Sequence, residues 1–287
     1  MRSSAPETPQ ELSSATSVRP ILRWAGSKRQ ILPILGQYWS SDYERYIEPF
    51  CGSSALFFML GPAKAILSDS NAELIGFYDI LRKDPTRLWT DAISIPRTRG
   101  KYLELRALSL STGSDHARAV RFLYLNRNCF NGLYRTNQRG QFNVPFAPTR
   151  AGVLPSLAEF LEAAARLRVA RTIACDFGHT LRSARAGDFV YMDPPFFVKA
   201  RRVFRHYGAH TFAQYDIDRL SKHLDRLDAR GVRFVLSFAD CSEIRPLSKN
   251  WFSRRVRVQR HIAGFAGDRR VAYEWLISNT VPARGPR

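Results

Sequence analysis

The chain has 287 residues, 45% of them hydrophobic, enough for a sizeable core and a second, smaller domain. Lys and Arg total 44 against 25 Asp and Glu, and the formal charge of +19 favours a polyanionic partner. No apolar run is long enough to span a membrane. The four cysteines, Cys51, Cys129, Cys175 and Cys241, lie far apart with no Cys-x-x-Cys pair, which argues against a zinc site or disulfide framework and for a reducing cytoplasm.

Met1 to Val18 is rich in Ser, Thr, Pro and Glu and lacks the apolar centre of a signal peptide; it reads as a disordered tail. Order is expected from Arg19. A short helix is predicted over Gln30 to Tyr38 and a strand over Arg45 to Phe50. A helix follows at Ser54 to Leu60, then a strand at Ala65 to Leu67, then Asp69 and a helix at Ala72 to Lys83. Strand, turn, helix, strand, acidic residue is the start of a Rossmann-like half. From Asp84 to Gly152 the pattern breaks into arginine-rich sequence with helical stretches at Tyr102 to Leu110 and Ala117 to Leu125. A turn-rich segment, Asn126 to Phe146, closes that region. The α/β pattern resumes with Leu157, Phe160, Leu161, Ala164 and Leu167 at helical spacing. Strands are predicted at Thr172 to Phe177, Asp188 to Met192, Val232 to Phe238 and Tyr273 to Asn279, with an amphipathic helix at Ile217 to Leu227.

Chemistry concentrates at strand ends. Asp193-Pro194-Pro195-Phe196 ends a buried strand abruptly, because neither proline has an N–H for further pairing. A carboxylate, a proline carbonyl and an aromatic face suit a planar amine-bearing base. Glu48-Pro49-Phe50-Cys51-Gly52 opens a helix whose N-terminus suits a ligand carboxylate. Asp69, after the next strand, is placed either for ribose hydroxyls or for capping the following helix. Asp176-Phe177 offers an adenine one hydrogen bond and one ring contact. His206 and His210 stand i, i+4 without a Glu motif, so no metal is expected; Lys199 to His210 reads as a loop near the active site that orders on the polyanionic partner.

Five segments stand together in one order: Trp24-Ala25-Gly26-Ser27-Lys28, Glu48-Pro49-Phe50-Cys51-Gly52, Ser68-Asp69-Ser70-Asn71, Tyr124-Leu125-Asn126-Arg127 through Phe142-Asn143-Val144-Pro145-Phe146, and Asp193-Pro194-Pro195-Phe196. In this the chain resembles the Dam-type DNA adenine-N6 methyltransferases from about Arg19 to Asn279. The resemblance implies an α/β fold, with a Rossmann-like methyltransferase domain at 19–83 and 153–287. A mostly helical target-recognition domain, 84–152, would be inserted there and carry a β-hairpin at 126–146. It implies S-adenosylmethionine as cofactor, with Trp24, Lys28, Asp69 and Asp193 at its site and Phe50 and Gly52 in the glycine-loop motif. Catalysis falls to Asp193, Pro194, Pro195 and Phe196.

The partner implied is double-stranded DNA, and the chain is expected to act as a monomer without an obligate protein partner. Arg127, Asn131, Leu133, Arg135, Asn137 and Arg139 interleave with aromatics around a turn at Gln138 to Gln141. By resemblance Arg135 reads a base, while Asn131 and Leu133 sit near the gap left by the target. Most other arginines are expected on phosphates. The chain departs from the family at Ser27 and Ser54, where Gly is usual, and at Phe196, where Tyr is usual. Ala147-Pro148-Thr149-Arg150 also stands where a glycine and a basic-aromatic stretch are usual. The motif alone leaves cytosine N4, RNA or a protein amide open as targets, and a catalytically dead DNA-binding protein as a rival.

Overall fold

A computed structural model describes residues 18–109, 111–137, 140–148, 153–195, 212–261 and 269–282. Seven strands form one sheet in the order β3-β2-β1-β4-β5-β7-β6. They are β1 (Tyr46–Glu48), β2 (Ala65–Asp69), β3 (Ala170–Ala174), β4 (Phe189–Met192), β5 (Arg233–Ala239), β6 (Phe252–His261) and β7 (Arg269–Ser278). The first five are parallel, whereas β7 runs antiparallel to both β5 and β6. The order reverses between β1 and β4. In open parallel sheets that reversal leaves a crevice at the strands' carboxyl ends, where ligands bind.

Alternation along the strands divides the core into two layers. Tyr46, Phe189 and Tyr191 face α1 (Leu32–Gly36), α2 (Ala55–Leu60) and α3 (Ala72–Lys83). Ile47, Val190 and Met192 face α8 (Phe177–Arg182) and α9 (Gln214–Ala229). Between α3 and α7 (Leu157–Leu167) lie α4 (Pro85–Ser94), α5 (Arg99–Ala107) and α6 (Asp115–Asn128). Tyr102, Tyr124, Leu125, Cys129, Phe142 and Val144 give this region a small core of its own. The opposite side of α6, through Ala119, Phe122 and Leu123, joins the main core.

Local chemistry explains the helix starts. The Asn71 side chain accepts from the Glu73 and Leu74 amides at the start of α3. Asp84, followed by Pro85, caps α4, and Ser156 forms a capping box with Glu159 on α7. Two expectations shift and one strand is unforeseen. The strand predicted over Thr172 to Phe177 ends at Ala174, because Asp176 accepts from the Gly178 amide and starts α8. Leu161, placed by spacing on the buried side of α7, is exposed. The arginine-rich stretch Phe252–His261 is strand β6, with Val256 and Val258 buried and Arg255 and Arg257 exposed.

Candidate cofactor and adenine site

One cleft of about 850 Å³ opens at the carboxyl edge over the switch point. All eight residues expected at a cofactor line it: Trp24, Lys28, Phe50, Gly52, Asp69, Asp176, Phe177 and Asp193. Pro194 and Pro195 line it too, while Phe196 and the stretch Lys199 to His210 lie outside the described residues.

Asp193 follows the last residue of β4 and sits on the cleft floor. Its Oδ1 is 2.6 Å from the Lys28 ammonium and accepts from Ser237 Oγ at 3.2 Å. Lys28 is only 8% exposed and also donates to the Gly26 carbonyl at 3.2 Å. Burial pushes the Asp193 carboxyl above its ordinary value, and Lys28 works against that shift. Gly26 has φ +81° in the turn that Ser27 N–H closes on the Trp24 carbonyl, a conformation that suits glycine.

Asp69 is not the cap of α3, since Asn71 fills that role. Its carboxylate instead accepts from the Gly52 amide at 3.2 Å and the Asn71 amide at 3.0 Å. The same contact occupies one amide of the turn that leads into α2, a helix of only six residues. Gly52 has φ +45°, and a Cβ there would stand 2.8 Å from the Trp24 indole nitrogen, so only glycine lets the indole lie against this turn. Trp24 in turn stacks on Tyr134, with ring centroids 6.2 Å apart.

At the far end of the cleft Phe50 packs on Phe177 at 5.1 Å, and the Arg219 guanidinium lies 4.5 Å over the Phe177 ring while pairing with Asp176. A flat base would meet aromatic carbon there, with a carboxylate at its edge.

Glu48, Asp69 and Asp193 bring three carboxylates to adjacent strand ends. Burial raises all three, and Glu48 is raised further by Asp193 and Asp69. Glu48 Oε2 accepts from Tyr46 at 3.0 Å. One lysine against these three carboxylates leaves a site that favours a cationic ligand. S-adenosylmethionine, which carries a sulfonium and an ammonium, fits that donor set, and the aromatic end fits its adenine.

The residues expected to meet DNA divide. The antiparallel bridge Thr136↔Phe142 closes the expected hairpin, and Asn137 braces its turn by accepting from the Gln141 amide at 3.0 Å. Arg135 Nε donates to Asn143 Oδ1 at 2.7 Å across that hairpin. Asn131 is exposed with φ +54°, and Leu133 is half-buried. Arg139 lies outside the described residues. Arg127 corrects its expectation: its guanidinium turns inward and donates to the carbonyls of Ile21 and Val153. Burial pulls it down to about 10.

Asn126, quoted in the sequence only as part of a motif, proves to be a joint. Its side chain accepts from the Arg23 amide at 3.0 Å and donates to the Arg23 carbonyl at 2.6 Å, fastening the Trp24 segment to α6. Ser237 and Glu274 were also missed as site residues. The available signal is a polar residue flanked by large apolar ones, as in Leu236-Ser237-Phe238 and Tyr273-Glu274-Trp275.

A family model described as D12 class N6 adenine-specific DNA methyltransferase matches residues 24–262. A type II methyltransferase of Lactococcus lactis subsp. cremoris is 31% identical, with 92% of this chain and 96% of that protein covered. A DNA adenine methylase of Salmonella typhi is 30% identical over 90% of this chain and 94% of its own length. A type II methyltransferase of Methanocaldococcus jannaschii is 29% identical, covering 91% and 99% respectively.

Proposed function

Since the chain belongs to the D12 class of N6 adenine-specific DNA methyltransferases, we propose that its cleft binds S-adenosylmethionine and presents Asp193 and the Pro194 carbonyl to the amine of a flipped-out adenine. The observation that carries this reading is the buried Lys28–Asp193 contact on the floor of the switch-point cleft. It places an oriented, charge-balanced carboxylate where the two prolines end the strand.

S-adenosylmethionine, when bound, supplies an electrophilic methyl group on its sulfonium and leaves as the neutral thioether. Everything else falls to the chain. Phe50 and Phe177 hold the adenine of the cofactor, Asp176 accepts from its amine, and Asp69 accepts from ribose hydroxyls. Glu48, Asp69 and Asp193 favour its positive charge. At the substrate, Asp193 and the Pro194 carbonyl accept hydrogen bonds from the two N6–H groups, which directs the nitrogen lone pair away from them and toward the methyl carbon; once the N–C bond has formed and the S–C bond has broken, N6 gives up one proton to solvent. Such catalysis is positioning and electrostatics, with no covalent enzyme intermediate. The target amine lies inside the base stack, so the base must leave the duplex, at a cost of a few kcal/mol.

Residues 84–152 read the DNA in this account. The hairpin carries Asn131, Leu133, Arg135 and Asn137, with Arg135 on a base edge after it exchanges Asn143 for guanine. The test is Asp193→Asn with labelled cofactor and duplex DNA. Methyl transfer should fall roughly 100- to 1,000-fold, the scale for losing one preorganised electrostatic contact, while DNA affinity stays close to that of the parent. Equal loss of both, or no loss of transfer, contradicts the assignment.

A further inference from the structure

Because β7 runs antiparallel to β5, its early residues lie at the carboxyl edge of the sheet, beside Asp193. Glu274 stands there opposite Ala239 and is 4% exposed. Its Oε2 is 3.8 Å from the Lys28 ammonium, which contacts Asp193 at 2.6 Å. One buried ammonium thus stands between the half-buried Asp193 carboxylate and the buried Glu274 carboxylate, supplied from strands on either side of β5. Lysine is a point charge on a flexible four-carbon stem, so a single partner does not fix where its head sits. The Gly26 carbonyl accepts a hydrogen bond from it at 3.2 Å, and Glu274 adds an ionic contact at 3.8 Å in which its Oε2 makes no hydrogen bond among the described residues.

We infer that Glu274 is a positioning residue, holding the Lys28 ammonium against Asp193 so that the carboxylate stays aimed and charge-balanced for the adenine amine. The inference rests on the role proposed for Asp193. Among the described residues, the charged and titratable groups facing Asp193 are Lys28 from the segment before α1, Glu274 from β7, Tyr191 from β4 and Glu48 from β1. Ser237 of β5 adds a hydrogen bond. Burial raises the Asp193 carboxyl, Lys28 lowers it, and Glu274 raises it as a like charge. Two roles for Glu274 therefore have opposite signs. A mere like charge, once removed, lets the Asp193 midpoint fall. An anchor for Lys28, once removed, frees the ammonium and lets the midpoint rise.

The experiment is a carboxyl ¹³C NMR titration of the full chain without cofactor, with the Asp193 resonance identified by its loss in Asp193→Asn. In Glu274→Gln the midpoint should rise. Turnover should drop about tenfold while cofactor affinity, measured by calorimetry, changes less than about threefold, the split expected when only transition-state positioning is lost. A midpoint that falls or does not move overturns the inference. If Glu274→Gln does not fold, Glu274→Asp decides instead: its shorter reach draws the ammonium off Asp193, and an unmoved midpoint again overturns it. The two readings fail separately. Full activity in Asp193→Asn defeats the role of Asp193 itself, whereas an inactive Asp193→Asn with a lowered midpoint in Glu274→Gln defeats only the role of Glu274.

Discussion

Ser54 shows what a one-residue departure from the family costs. It N-caps no group with its side chain, is fully buried, and has φ +51°, in the left-handed region. A side chain there costs about 1–2 kcal/mol relative to a right-handed conformation, and glycine avoids most of it. Ser54→Gly should therefore raise stability by about 1 kcal/mol in denaturant unfolding; a loss of stability would mean the Ser54 hydroxyl matters more than its backbone. Glu48 makes a second prediction. Its folded carboxyl is raised by burial, so its stabilising contribution is full below the unfolded carboxylate value and is lost as pH rises through the folded value. Glu48→Gln should then make the cofactor-free protein more stable near neutral pH and flatten that loss, while weakening cofactor binding. A variant less stable than the parent at neutral pH would show that Glu48 is satisfied without a cationic ligand. Such residues were legible by type and place, because acids at strand ends are visible in sequence. Their partners were not: Asn126 on Arg23, and Glu274 on Lys28, span distances along the chain that no local pattern encodes.

At the scale of elements, periodicity served well where helices have two clear faces. The helix predicted at Ala72 to Lys83 has those bounds, because Asn71 caps its start. Boundaries failed where a polar residue could end one element or begin another, as at Asp176. Strand β6 is hard to see in the sequence because Arg254, Arg255 and Arg257 surround Val256 and Val258, the residues that alternate into the core. One tie between elements is open to direct measurement. Arg45, just before β1, binds the fully buried Asp188 just before β4 through two hydrogen bonds of 2.8 and 2.6 Å. The contact lies at the amino edge of the sheet, remote from the cleft. Arg45→Ala leaves that carboxylate without its cation and should cost about 3–5 kcal/mol in unfolding free energy, with cofactor affinity little changed in protein that remains folded. A cost below about 1 kcal/mol, the size of a surface pair, would contradict it.

For the whole molecule, the charge of +19 and the cleft act together. Not every arginine is free for DNA. Arg127 is turned inward, Arg121 is buried against Glu73, and Arg255 pairs with Asp240 while lying over Tyr273. Those that face solvent should still make affinity steeply salt-dependent, with a log–log slope of about −0.9 for each phosphate neutralised. A flat dependence in a filter-binding series would contradict phosphate contacts as the source of affinity. The cleft over β1 and β4 is expected to methylate adenine N6 through Asp193. Single-molecule sequencing of DNA from cells expressing the chain, beside cells expressing Asp193→Asn, tests it most directly. N6-methyladenine is expected at a recurrent sequence context in the first and not in the second. Unmodified adenine in both, methylation at cytosine N4, or the same adenine signal in both would contradict it.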